Sequence, residues 1–311
     1  MASIKDLRKR IGTVKNTQQT TKAMKMVSAA KLRRSQEAVQ AHRPYALELK
    51  ALLEQTLKHP ASAQIRSPLI VRDEAAMGGA EGIESSGKPA VLLVMITSDR
   101  GLCGGFNANI IKGAQRWMNA NASRYSRIET AFVGKKAFDF FKTRLAIAPV
   151  FHVEFGAKVP YIKAKKVMGD VLAPFLDGRV QEVVVIYNEF KNAVTQKVTT
   201  EKLLPMTVGA GASQEGSEAD SVGVPPLVKP DPATVAQTLL EKHFPVQLYR
   251  ILLESQAGEH GARMSAMENA TKNAGEMIRH LTLQYNKQRQ AGITKELLEI
   301  IAGSESQKSA G

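Results

Sequence analysis

LLESQAGEHGARMSAMENATKNAGEMIRHLTLQYNKQRQAGITKELLEIIAG, Leu252 to Gly303, contains no proline, and none follows Pro245 anywhere in the chain. Within it Met267, Ala270, Ala274, Met277 and Leu281 recur at alternating spacings of three and four, the period of a helix with a coiled-coil seam. The apolar stripe then drifts to Ile293, Leu297 and Ile300. If about 60 residues of this tail are helical, the helix is roughly 90 Å long at the standard rise. A helix of that length has no place inside an ordinary domain, and its stripe needs a partner.

The start of the chain supplies one. From Ser3 to about Lys58 the only helix breakers are Gly12 and Pro44, and Ile4, Leu7, Ile11 and Val14 keep the same seam spacing. Asn16, Thr17, Gln18, Gln19, Thr20 and Thr21 interrupt the stripe before Ala23, Met24, Met26, Val27, Ala29 and Ala30 resume it. A polar interruption weakens packing and can instead set the register. Laid side by side, the two ends form an antiparallel coiled coil, with Ala270 and Ala274 small enough to allow close approach. The pattern alone also admits a four-helix bundle made by two copies.

Between the ends the pattern changes. AVLLVMI (Ala90–Ile96) reads as a buried strand, Asn107–Ala120 as a helix, Thr130–Val133 as a strand, and Lys135–Thr143 and Pro160–Leu176 as helices. VQEVVVIYNEF and NAVTQKVTTEKLLP follow as two strands of alternating pattern. Strands alternating with helices predict a small Rossmann-like α/β domain with a largely parallel sheet. The fold class is therefore α/β with long helices. The expected divisions are a helix over 1–60, a loop insert over 61–89, the α/β domain over 90–207, a second insert over 208–230, a helix over 231–303 and a tail over 304–311. Both inserts are rich in Gly, Ser and acidic residues and lack periodicity.

Charge and cysteine narrow the function. The net charge is +14, and ten Lys or Arg stand against the single acid Asp6 between Met1 and Arg34. Such a face implies an acidic partner, whether nucleic acid, anionic lipid or protein. A nucleic-acid-binding coiled-coil protein is the alternative function, but the chain shows no recognised binding module or aromatic stacking pattern. One cysteine, Cys103, excludes an intramolecular disulfide, and the longest apolar run, Ala90–Ile96, is far short of the ~20 residues that cross a bilayer.

No catalytic constellation is legible. TSDRGLCGGFN, following a strand and opening a helix, resembles a phosphate cradle, yet it has neither G-x-x-x-x-G-K-[ST] nor G-x-G-x-x-G, and reads better as a tight glycine turn. Cys103 needs a base to act as a nucleophile, and the six histidines are scattered without relation to it. No metal-ligand spacing and no cofactor motif is present. The seam methionines, Met24, Met26, Met264, Met267 and Met277, read as core filler or as a smooth bearing surface.

Three blocks together resemble one family. SIKDLRKRIGTVKNTQQTTKAMKMVSAAKLRRSQE (Ser3–Glu37), TSDRGLCGGFNANIIK (Thr97–Lys112) and the opening quotation (Leu252–Gly303) are similar in order, spacing and content to gamma subunits of bacterial F-type proton-transporting ATP synthases. One departure is Ser304 after Gly303, where the family commonly has alanine. The family pattern starts within the first few residues, which leaves no room for a transit peptide. The resemblance implies a non-catalytic central rotor stalk without cofactors. Its implied partners are the alpha and beta subunits of the catalytic hexamer, the epsilon subunit and the membrane c-ring, with no nucleic acid and no direct membrane span. It further implies a peripheral location on the cytoplasmic face of the inner membrane. By the same resemblance, Lys22, Met24 and Lys25 on the first helix and Arg263, Gln290, Thr294 and Glu296 on the last match the rotor's contact regions with the alpha-beta head.

Overall fold

The computed structural model describes residues 3–58, 67–72, 88–144, 148–156, 158–192, 195–208 and 231–309. Two helices dominate, α1 (Ile4–Lys58) and α5 (Pro232–Ser309). Each begins with a cap that the sequence dictates. The Asp6 amide donates to Ser3 Oγ at 3.2 Å while the Ser3 amide and hydroxyl donate back to Asp6 Oδ2, a reciprocal capping box. At the start of α5 the Thr234 amide donates to Asp231 Oδ2 at 3.1 Å, and Pro232 takes the first helical position, where no donor is needed. That hydrogen bonding holds the Asp231 carboxyl below the usual carboxylate range. At 78 residues, α5 exceeds the length expected from its apolar stripe.

The chain divides into two compact units, Met1–Ala30 with Arg263–Gly311, and Lys31–Ala262. The first is an antiparallel helix pair. A Cβ added at Gly292 would meet Ile4 at 3.6 Å, and one at Gly275 would meet Gln18 at 3.1 Å. Further along, Thr271 Oγ1 lies 2.8 Å from Thr21 Oγ1, and Lys25 Nζ lies 3.1 Å from Glu268. As one number rises the other falls, which defines the direction. The same unit corrects the expected seam. The least exposed positions are Leu7, Ile11, Val14, Gln18, Thr21, Lys25 and Ser28 facing Met267, Thr271, Ala274, Ile278, Leu281, Tyr285 and Gln288. The heptad therefore runs straight through the polar stretch. Met26 and Val27, read as resuming the stripe, are 60% and 56% exposed, and Met277 is exposed where Ile278 faces inward. Both phases satisfy a three-and-four spacing. The one adopted lets Thr271 bond Thr21 and accept from Gln18 Nε2 through its carbonyl.

The second unit is a three-layer α/β domain with helical cover. Its main sheet contains β2 (Ala90–Ile96), β3 (Arg127–Val133), β4 (His152–Val153), β5 (Glu182–Phe190) and β6 (Gln196–Leu204), in the order β4-β3-β2-β5-β6. All neighbours are parallel except β5 and β6. Every residue of β2 is buried, because α2 (Phe106–Asn121) and α3 (Lys135–Phe141) cover one face, and α4 (Tyr161–Leu176) with α5 covers the other. Six consecutive residues of β5 are buried for the same reason, so this strand does not alternate as expected. A small parallel pair, β1 (Ile70–Arg72) with β7 (Met206–Val208), was not foreseen, and β1 falls inside the stretch read as the first insert. Residues 61–66 and 73–87 of that insert, and residues 209–230 of the second, lie outside the described residues.

Also within this unit, α5 is buried all round from Ile251 to Gly261 despite carrying Glu254, Ser255 and Glu259. Such burial needs polar partners. Arg250 Nη2 sits 2.9 Å from both carboxylate oxygens of Glu201, and Tyr187 donates to the same carboxylate at 2.9 Å. Arg250 Nη1 reaches Glu254 at 3.3 Å. Burial pushes the Glu254 carboxyl up, with Arg250 opposing.

His243, two turns before Arg250 on α5, is pushed down to about 4 by burial and by the neighbouring Lys50 and Arg250 cations. Its folded form thus refuses a proton that the unfolded chain accepts at its ordinary value of 6.5. The stability this contributes is present above pH 6.5 and is lost as pH falls toward about 4, at up to about 1.4 kcal/mol per pH unit. Trp117 packs in the cluster behind the sheet and supplies a local fluorescence probe of this unit. Urea midpoints read from Trp117 should drop less steeply between pH 6.5 and 4 in His243→Phe than in the parent. Identical slopes would remove His243 as the cause.

Candidate functional site

All seven predicted contact residues fall in the helix-pair unit. Lys22 is exposed, Met24 half-buried, and Lys25 half-exposed beside Glu268. The Lys25 hydrogen bond and charge hold the Glu268 carboxyl below the ordinary range. Lys22 and Lys25 share a groove of about 400 Å³ with Gln18, Gln19, Thr271 and Lys272. Three ammonium groups against one carboxylate make that groove cationic.

Gln290, Thr294 and Glu296 lie elsewhere, some twenty residues along α5 from Glu268, or about 33 Å at the helical rise. Since Ile4 is level with Gly292, α1 provides no cover beyond that point. The last turns of α5 consequently expose Ile293, Leu297, Leu298, Ile300 and Ile301 at 49–63%. The seven residues therefore form separate groups, with Arg263 at the far end of the pair near the start of its α5 segment. Sequence reading singled out Ile293, Leu297 and Ile300 as a stripe but did not see that they lack a partner, because helix overhang depends on the register between two distant segments. Exposed Met26 and Val27 escaped because the phase of the seam is set by the helix opposite.

In the second unit the glycine-rich loop after β2 forms no cradle of its own, and its Asp99 fills one made by backbone amides that follow β3 and β4. Asp99 accepts from the backbone amides of Lys135 at 3.1 Å, Phe155 at 2.8 Å and Gly156 at 2.6 Å. This carboxylate ties the loop after β2 to the start of α3 and to the segment after β4. Cys103 is 2% exposed, and Asn107 Nδ2 donates to it at 3.2 Å and to Ser98 Oγ at 2.8 Å. These contacts knit the loop together and position no reacting group. In open α/β sheets, ligands bind outside the strand ends where the winding reverses, here between the ends of β2 and β5. Helix α5 fills that crevice: a Cβ at Gly258 would touch Phe106 at 3.3 Å and Gln196 at 3.5 Å, and Ala262 packs on the same cluster.

A mostly parallel α/β sheet in one unit and, in the other, a long antiparallel helix pair built from the two chain ends define the architectural class of the chain. The sequence profile of the family described as ATP synthase matches residues 3–306. The ATP synthase gamma chain of Bdellovibrio bacteriovorus is 45% identical over 309 residues, covering 99% of this chain and 100% of that one. The gamma chain of a Geobacter species is 46% identical over 308 residues with the same coverage. The chain belongs to the ATP synthase gamma chain family, whose members are non-catalytic subunits. Among solved structures, the central stalk and c-ring assembly of the Tetrahymena thermophila mitochondrial ATP synthase contains a chain with a TM-score of 0.58 and 25% identity, covering 81% of this chain and 99% of that one. A chain in the rotor of the Euglena gracilis mitochondrial enzyme has a TM-score of 0.63 at 20% identity, covering 93% and 98%, and shares the fold.

Proposed function

We propose that this chain is the central rotor stalk of an F-type ATP synthase, coupling transmembrane proton flow to ATP synthesis and hydrolysis in the catalytic head. The observation that carries the reading is the antiparallel pairing of α1 with α5 together with the bare apolar end of α5. A lone helix end with exposed Leu and Ile is soluble only if something else covers it, and a sleeve formed by alternating alpha and beta subunits does so. The cationic groove at Lys22 and Lys25 suits an acidic loop of the beta subunit. Lys22, Met24, Lys25, Arg263, Gln290, Thr294 and Glu296 are assigned contact roles with that head.

Because the faces of the pair differ in charge and apolarity, turning it presents each catalytic site with a different contact energy in sequence. Only such differential contact can drive a site between conformations of different nucleotide affinity. The epsilon subunit and the membrane c-ring complete the rotor, and the complex stands on the cytoplasmic face of the bacterial inner membrane. No helix among the described residues is long and apolar enough to cross a membrane, in keeping with a peripheral attachment.

Co-expression with cognate alpha and beta chains tests the reading. The three should elute as one ATP-hydrolysing complex, and a bead attached through Lys112→Cys should rotate during hydrolysis while the head is fixed. A hydrolysing complex in which the bead stays still, or from which this chain is absent, would rule the proposal out.

A further inference from the structure

Within the unit Lys31–Ala262, helices α1, α4 and α5 meet around an open cleft of about 650 Å³. Small-molecule sites commonly span ~300–1,000 Å³. Part of the lining is aromatic: the Tyr249 ring stands edge-on to His42 at 4.7 Å and to Tyr161 at 5.7 Å, and His42 lies 5.9 Å from Tyr45. Tyr45 and Tyr161 remain 52% and 40% exposed, so ring surface is still available for stacking or edge contact.

Polar groups in the same cleft are unspent. Lys165 on α4 and Lys242 on α5 are exposed and in no ion pair among the described residues, while Glu241 brings the single carboxylate. Two ammonium groups against one carboxylate leave one net positive charge, which suits a monoanion better than a polyphosphate. Pro245 has no N–H, so the Glu241 carbonyl one turn back loses its intrahelical donor. His42 Nε2 is buried without a hydrogen-bond partner among the described residues. Burial, working against a hydrogen bond to the Val246 backbone, lowers the proton affinity of this imidazole.

We infer that this cleft binds a planar aromatic monoanion bearing an O–H or N–H donor, with its ring against Tyr161 and Tyr249 and its carboxylate at Lys165 and Lys242. The donor satisfies the Glu241 carbonyl. An aliphatic acid would leave the rings and the acceptor unmatched, and a cation would meet the two lysines. The Asp99-filled cradle lies in a different part of the domain and is not involved.

Isothermal titration of the full chain with para-coumarate, a planar hydroxyaryl carboxylate, provides the test. Saturable one-to-one binding is expected. The methyl ester, which removes the charge, and para-methoxycinnamate, which removes the donor, should each bind at least about fivefold more weakly, the scale of one lost charge-assisted or neutral hydrogen bond. The exposed-site double variant Lys165→Gln/Lys242→Gln should lose at least as much affinity for para-coumarate while keeping the parent's circular dichroism and melting temperature. Absence of saturable binding to the parent, or a smaller change in any of the three arms, overturns the assignment.

Discussion

Proline in place of Leu281 is expected to abolish proton-driven ATP synthesis and ATP-driven pumping by the assembled complex, whereas alanine at the same position leaves most of both. Leu281 lies on the inward face of α5 in the helix-pair unit and is only partly buried. Truncation to alanine therefore costs less than the roughly 2–5 kcal/mol of a fully buried leucine, and alanine is itself a strong helix former. Proline removes an intrahelical hydrogen bond, drives its ring into the preceding turn at about 3 kcal/mol or more, and bends the helix. A seam in which Gln18, Thr21 and Thr271 interrupt the apolar packing depends on the register of those bonds, which a bent α5 would break. Hydrolysis can survive in any complex that assembles, since the chemistry belongs to other subunits. Quenching of a pH-sensitive dye in vesicles measures the difference. Proton pumping by Leu281→Pro enzyme at the parent's rate would show that α5 does not carry torque.

Gly134→Ala should unfold the α/β unit far more readily than any exposed glycine change. Gly134 links β3 to α3 with φ of +102°, and a Cβ there would come 1.9 Å from the Thr97 carbonyl oxygen. The left-handed backbone alone costs about 1–3 kcal/mol for an L-residue, and forcing the overlap apart adds about as much again. Thr97 is buried at the end of β2 and its amide is bonded to the Val133 carbonyl at 2.8 Å, so the strand cannot simply step aside. Gly169, in α4 with nothing near its missing Cβ, is the control: alanine there should stabilise by about 0.5–1 kcal/mol. Urea midpoints followed through Trp117 should fall for the first variant and rise for the second. A midpoint for Gly134→Ala equal to the parent's would contradict the geometry.

Much of this was legible beforehand because it rests on local rules. Long amphipathic runs with few breakers gave the two long helices, and β-branched runs between helical segments gave the core strands of a mostly parallel sheet. The short strands β1, β4 and β7 were not legible, since two or three residues carry no period. The seam phase failed for a different reason. Met26 and Val27 look like better seam residues than Lys25 and Ser28, but the phase is decided by what stands opposite, and Glu268 and Thr271 are 240 residues or more away in sequence. The lysine groove was read as a basic face without its partner helix, and the aromatic cleft was not read at all. Its rings come from three segments that no sequence window contains together.

The carboxylate of Asp99 gives the domain a kind of chemical insulation. A subunit that works beside catalytic sites turning over ADP, phosphate and ATP would interfere with them if its own nucleotide-like fold competed for the same ions. Because three backbone amides are already committed to an anion tethered within the same chain, a free phosphate entering there would have to displace a group whose effective concentration never falls by dilution. At this one site the domain is insulated from its neighbours' anions by a group that it carries itself.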